Sequence, residues 1–166
     1  MPLPLPPGAS AEPENSPVIL AVGGHLKNTI AVSNGRHGVV SPHIGDLESA
    51  QSLRTFEKTI EQCRQLYPRR PSVVACDGHP DYASTRYAET MEIPLVRIQH
   101  HQAHVLSCMA DNQLAPPVLG IAWDGAGYGE DGTLWGGEFL RIDDEGFRRV
   151  GCLRPFPLPG GGRAIR

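Results

Sequence analysis

The segment Gln99-His100-His101-Gln102-Ala103-His104 holds three of the chain's seven histidines. If it is helical, His100 and His104 stand one turn apart on the same face. Two imidazoles in that arrangement can share one divalent ion. His101 points about 100° further round such a helix and suits a supporting or substrate-facing role. The plain alternative is a pair of surface histidines; a third histidine and a polar strand end just upstream favour the metal.

Three further clusters carry candidate chemistry. Asp124-Gly125-Ala126-Gly127-Tyr128-Gly129-Glu130-Asp131-Gly132 follows an apolar run. Glycines let a backbone approach an anion closely, and successive N–H groups can cradle phosphate. The spacing is neither the dinucleotide fingerprint nor a Walker loop, because no GK[ST] follows. Read alone it is a hairpin loop; its acidic residues fit a metal–nucleotide site better than a bare anion cradle. Asp77-Gly78-His79-Pro80-Asp81 lies at the carboxyl end of a second apolar run, the sheet edge where open α/β proteins bind ligands. Asp81 reads equally as a helix cap. Gly23-Gly24-His25-Leu26-Lys27-Asn28 joins two short β-prone runs, and Lys27 there can meet a phosphate or simply sit in a hairpin.

The elements that must position these groups follow from periodicity. Apolar or β-prone runs at 18–22, 28–33 and 36–41 read as strands, with Asn34-Gly35 as a type I′ turn signal. Leu47, Leu53, Phe56, Ile60, Cys63 and Leu66 then follow helical spacing, with Asp46 as the expected cap and Pro68 as the stop. Strands at 73–76 and 95–98 alternate with helices at 81–91 and 99–110. The resulting order, β-β-β-α-β-α-β-α, predicts a mixed sheet covered by helices. After Pro116-Pro117 the pattern restarts with strands at 118–123, 133–142 and 147–153 and a glycine-rich loop at 125–132. Six of the first 17 residues are proline, so 1–17 is expected to be a disordered lead. The first lobe is placed at 18–112, and the start of a second, incomplete lobe at 116–166.

Composition narrows the function. With 15 Lys+Arg against 18 Asp+Glu the formal charge is -3, which argues against broad electrostatic capture of nucleic acid or anionic membrane. No stretch approaches the roughly 18 apolar residues of a membrane span. The start of the chain lacks a secretory signal, so a cytoplasmic location is expected. The four cysteines match neither a zinc module nor a disulfide framework and are read as reduced thiols.

In order along the chain, AVGGHLKNT, SPHIGDLES, ACDGHPDYAST, IQHHQAHVLSCMADN, DGAGYGEDGTLWGGEFL and LPGG resemble the last domain of the HypF-type carbamoyltransferases, which mature [NiFe] hydrogenases. The likeness covers about residues 18–166. It implies an actin/Hsp70/sugar-kinase-like fold with RNase H-like lobes around a nucleotide cleft. The activity implied is transfer of a carbamoyl group from carbamoyl-adenylate to the C-terminal cysteine of a partner protein, HypE, on the way to a cyanide ligand. The resemblance also implies His100, His104 and Asp124 as ligands of a divalent metal, zinc or iron. It implies Gly125, Gly127, Gly129 and Gly132 facing ATP or carbamoyl-adenylate, with His79, Asp81 and Lys27 in the cleft, and His79, Asp81 and His101 are the candidate catalytic residues. Upstream acylphosphatase, zinc-finger and adenylate-forming domains of the family have no counterpart in this sequence, and Gly162 stands where LPGG is usually followed by an acidic residue. The expectation is therefore a fragment whose carboxyl-terminal half another chain would supply. A non-catalytic module and an O-carbamoyltransferase are the alternatives.

Overall fold

The computed structural model describes residues 3–4, 16–34, 37–65 and 69–157. Strands β2 (Ile19–Ala21), β3 (Ala31–Ser33), β4 (His37–Val40), β5 (Val73–Asp77) and β6 (Leu95–Ile98) form one mixed sheet in the order β4-β3-β2-β5-β6. The first three are antiparallel neighbours, while β5 runs parallel to β2 and β6 parallel to β5. Parallel pairs need crossovers, and helices α1 (Ala50–Gln65) and α2 (Ala83–Glu89) supply them. A two-residue strand, β1 (Leu3–Pro4), adds to the outer edge of β4. It belongs to the proline-rich lead, whose residues 1–2 and 5–15 lie outside the described residues, as do the turn residues Gly35 and Arg36.

The core of this unit is Leu20, Val32 and Val74 from the strands and Val22 and Ile30 beside them, with Leu47, Phe56 and Ile60 from α1 and its approach, all essentially inaccessible. Each such side chain contributes about 1.5–3 kcal/mol by leaving water. Phe56, Ile60 and Cys63 fall on one face of α1, as the spacing predicts. The helix starts later than expected. Ser49 Oγ accepts from Ser52 N–H at 3.0 Å and takes the capping role, whereas Asp46 Oδ1 accepts from Lys27 N–H at 2.8 Å. That bond serves a left-handed residue, Lys27 at φ 49°. Leu66 and Pro68, the expected end of the helix, lie outside the described residues.

Helix α3 (His100–Asp111) belongs to both halves of the molecule. Its first turn meets β5, while Val105 and Met109 pack on a second sheet made of β7 (Val118–Tyr128), β8 (Leu134–Asp143) and β9 (Gly146–Cys152). Gln99 caps it, accepting Gln102 N–H at 2.9 Å. Along β7 the inward positions are small: Gly120 and Ala122 are buried, and a Cβ at Gly120 would run into Val105.

The expected break after residue 123 is not there. β7 continues through the glycines to Tyr128, with a register shift between Trp123 and Gly127. A bulge absorbs the irregularity, and the residues connecting β7 to β8 are only those between Tyr128 and Leu134. Likewise α2 is shorter than the expected 81–91: Tyr82 stands at its N-cap position without a side-chain capping bond.

Candidate metal centre

Three side chains converge where the two sheets meet. His100 Nε2 lies 3.0 Å from Asp124 Oδ2 and 3.3 Å from His104 Nε2. His104 Nε2 is 3.7 Å from the same carboxylate oxygen. These donor atoms all lie within 4.8 Å of one another, a spacing that can hold a metal ion. Helix periodicity stacks the two histidines, and β7 brings the carboxylate to them from the second sheet.

The surroundings fix the chemistry of each group. Asp77, at the carboxyl end of β5, accepts from His100 Nδ1 at 2.6 Å and from His79 N–H at 2.8 Å through its other oxygen. A proton on His100 Nδ1 leaves a lone pair on Nε2, aimed at His104 and Asp124. This carboxylate–histidine pairing is how protein metal ligands are oriented and made more basic. In the metal-free state that hydrogen bond, opposed by burial and aided by the Asp124 charge, raises the His100 pKa above the ordinary histidine value. Asp124 Oδ2 is buried and has no hydrogen bond of acceptable geometry. A buried carboxylate oxygen without a donor is costly, and a cation at the convergence point satisfies it. Two imidazoles and a carboxylate suit zinc or a divalent first-row metal. The residues present therefore fit the implied metal.

Of the two roles read for His101, supporting or substrate-facing, its position fits the first. Its side chain is fully buried, with Nε2 at 3.1 Å from the Gly136 carbonyl and Nδ1 at 3.2 Å from Gln99 Nε2. Burial lowers its pKa, so it is a neutral strut tying α3 to β8. Gln99 also donates to the Tyr128 carbonyl at 3.2 Å, so two side chains of one short segment tie α3 to both β7 and β8.

The glycines of 125–132 divide by what surrounds them. A Cβ at Gly127 would lie 2.5 Å from His101 Cε1, and one at Gly129 would collide with Trp135. Gly132 turns the hairpin at φ 74°. Gly125 alone of the four lines an open groove of about 690 Å³, together with Trp123, Asp124, Glu138 and Arg149. Packing thus accounts for Gly127 and Gly129 without a ligand. A separate cleft of about 260 Å³ is bounded by Gly23, Gly24, Asp77, His100, Ala103 and His104. Gly23 adopts φ 69°, and Asn28 Nδ2 closes the turn by donating to the carbonyls of Val22 at 2.8 Å and Gly24 at 2.6 Å. Lys27 has an exposed side chain beside this turn. Asp81 is exposed and paired with Arg86 at 3.0 Å, and His79 stacks on Tyr82.

Sequence reasoning gave Asp77 no role in orienting His100, although its position at a strand end beside His79 was the available signal. Nothing in the sequence marked Gln99, Asn28 or the buried Glu138, which accepts from Arg149 Nε at 2.6 Å and from Gly136 N–H at 3.0 Å.

Fold and site together define an α/β domain in which two histidines and one carboxylate that could hold a metal ion meet between a mixed sheet and an antiparallel one. Residues 14–111 match the HypF Kae1-like domain, and residues 120–166 match the second subdomain of the carbamoyltransferase Kae1-like domain. The chain belongs to the HypF carbamoyltransferase family. It is 48% identical over 149 residues to the carbamoyltransferase HypF of Synechocystis, covering 89% of this chain and 19% of that protein. With the HypF of Rhizobium leguminosarum bv. viciae the identity is 46% over 152 residues, covering 92% and 20%. A crystal structure of full-length HypF in a phosphate- and nucleotide-bound form superposes with a TM-score of 0.86 at 40% identity, covering 98% of this chain and 21% of that one. The T. kodakarensis HypF gives 0.85 at 32%, covering 99% and 21%. This chain therefore spans about a fifth of the length of these relatives.

Proposed function

We propose that this chain forms part of a carbamoyl-transfer site, passing a carbamoyl group from carbamoyl-adenylate to the C-terminal cysteine thiolate of a HypE-type maturation protein in the cytoplasm. The observation that carries the reading is the convergence of His100, His104 and Asp124, with Asp77 behind His100, in a chain of this family. In the reaction the sulfur attacks the carbamoyl carbon, a C–S bond forms, and the C–O bond to the phosphate breaks to release AMP. A divalent ion, when bound, would polarise the carbamoyl oxygen and offset charge on the leaving phosphate. Asp77 holds the His100 ring in the tautomer that presents Nε2, and His101 fixes the height of α3 against β8. Lys27, exposed beside the Gly23-Gly24 turn, is long enough to reach a phosphate at the cleft mouth.

The same reading places residues 18–112 in a first RNase H-like lobe of an actin/Hsp70-like fold and residues 116–166 in the start of a second. Three antiparallel strands followed by two parallel ones, then a new antiparallel sheet, support that assignment. Polypeptide corresponding to the rest of the relatives' length would complete the nucleotide cleft.

The test supplies the zinc- or iron-loaded chain with carbamoyl-adenylate and a peptide ending in cysteine, and follows S-carbamoylation by mass spectrometry. Product that disappears in Asp124→Ala supports the reading. A metal-loaded, adenylate-binding chain that leaves the thiol unmodified contradicts it.

A further inference from the structure

Two of the three converging side chains ride on α3 and the third on β7, so the relative placement of these two elements brings them together. The pairing of β7 with β8 is irregular at that point. Trp123 pairs with Gly137 and Gly127 with Trp135, so residues 124, 125 and 126 of β7 face Gly136 alone across the ladder. Asp124 is the first residue of this bulge. Gly136 lies against it: a Cβ there would stand 3.3 Å from the Asp124 carbonyl oxygen.

Gly136 has no register partner on β7, and side chains serve both of its backbone groups. Its N–H donates to Glu138 Oε1 at 3.0 Å. Its carbonyl lies 3.1 Å from His101 Nε2. A carbonyl can only accept, so the ring proton sits on Nε2, and Nδ1 accepts from Gln99 Nε2 at 3.2 Å. Glu138 is itself buried, at 2% exposure. Its second oxygen takes Arg149 Nε at 2.6 Å. The Arg149 guanidinium lies over the Trp135 ring at 4.2 Å and reaches Asp131 at 3.4 Å. A buried ion pair adds little net stability, because desolvation offsets the attraction. What Glu138 supplies is an acceptor for an N–H that the bulged ladder leaves over.

We propose that Glu138 is a positioning residue for the candidate metal corner: it anchors Gly136, which meets both the Asp124 bulge of β7 and the His101 side chain of α3. The path runs from Arg149 through Glu138 to Gly136 and forks there. One branch reaches Asp124 by backbone contact. The other reaches His101, the neighbour of His100, by a hydrogen bond. Loss of the Glu138 acceptor frees Gly136 to shift and lets the carboxylate and the two imidazoles drift apart. The inference deepens the carbamoyl-transfer reading of the same site, resting on it for what the corner does and not for how the corner is held.

The experiment loads the full chain with cobalt(II), reading affinity by calorimetry and coordination by the visible d–d bands, below the melting transition of every variant. Glu138→Gln keeps the shape, but its single oxygen serves either Gly136 N–H or Arg149 Nε and not both. Glu138→Leu serves neither. Cobalt affinity is expected to fall about tenfold in Glu138→Gln and further in Glu138→Leu, with displaced d–d bands. Asp131→Asn loosens only the outer end of Arg149, and Ile60→Ala weakens the distant closed core; both are expected to match wild type in affinity and bands. If Glu138→Leu does not fold, Glu138→Gln decides alone. Wild-type affinity and bands in Glu138→Gln overturn the proposal, as does an equal loss of cobalt in Ile60→Ala, which would make stability the cause. A folded wild type that holds no cobalt overturns it together with the metal corner. Cobalt binding that depends on Glu138 in a chain that never carbamoylates a thiol supports the positioning role and overturns the transfer reading alone.

Discussion

The two sheets meet water very differently. The mixed sheet encloses a closed cluster in which Leu20, Val22, Ile30, Val32, Val74, Phe56 and Ile60 are all at most 1% exposed. The β7–β9 sheet is covered on one face only, where Val105 and Met109 of α3 meet Ala122, Leu140 and Ile142. Its other face leaves Leu119, Ile121 and Trp123 at 63%, 56% and 74% exposure, with Leu153 and Phe156 nearby in the same groove region. Alternation along the first part of β7, up to the bulge after Trp123, produces this: even positions pack on α3 and odd ones face out. The difference teaches that the first unit carries its own stability, while the second sheet is held mainly through α3. The same helix positions His100 and His104. The geometry of the candidate metal corner is therefore the geometry of the joint between a self-contained unit and a half-covered one.

Substitutions that probe each side of this contrast should differ most. Ile60→Ala removes a fully buried side chain of the closed core and should cost about 2–5 kcal/mol, whereas Ile121→Ala on the bare face should stay within about 0.5 kcal/mol. Urea unfolding of both variants checks this, and equal losses would erase the distinction. A smaller effect is expected at the joint. Gly127→Ala puts a methyl against His101 and His100 Cβ and should cost about 1–3 kcal/mol, with weakened metal binding. Gly24→Ala, whose added carbon meets nothing within 4 Å, should be close to neutral in stability. The smallest effect belongs to the β7–β8 hairpin. Asp131 accepts from Thr133 N–H, Thr133 Oγ and Trp135 Nε1, and these bonds together with Arg149 lower its pKa to about 2. A depressed carboxylate stabilises the fold above its unfolded pKa of about 3.9, and that contribution is lost as pH falls through about 2. The stability gap between wild type and Asp131→Asn should therefore be present at pH 5 and close toward pH 2 in acid titration followed by circular dichroism.

The order of elements, the mixed sheet, the α3 helix and the stacked His100–His104 pair were legible because each rests on local periodicity. What escaped the sequence depends on contacts between distant segments. Gly127 reads as loop glycine until His101 is known to lie beneath it. Asp46 reads as a helix cap until the Lys27 turn, 19 residues away, claims its oxygen. His101 carries the same residue type as its neighbours, and only the Gly136 carbonyl, 35 residues on, reveals a packing role. Asp124 came from family resemblance, since no spacing rule connects a residue 20 positions beyond His104 to the same ion.

The central claim is that His100, His104 and Asp124 close on a single divalent ion. Metal analysis after dialysis against zinc or iron(II) tests it most directly, comparing wild type with His104→Ala, Asp124→Ala and His37→Ala, the last an exposed histidine on β4. The account predicts one tightly held ion per chain in wild type and His37→Ala, and its loss in the other two. Metal retained equally by all four, or absent from the folded wild-type chain, would contradict it.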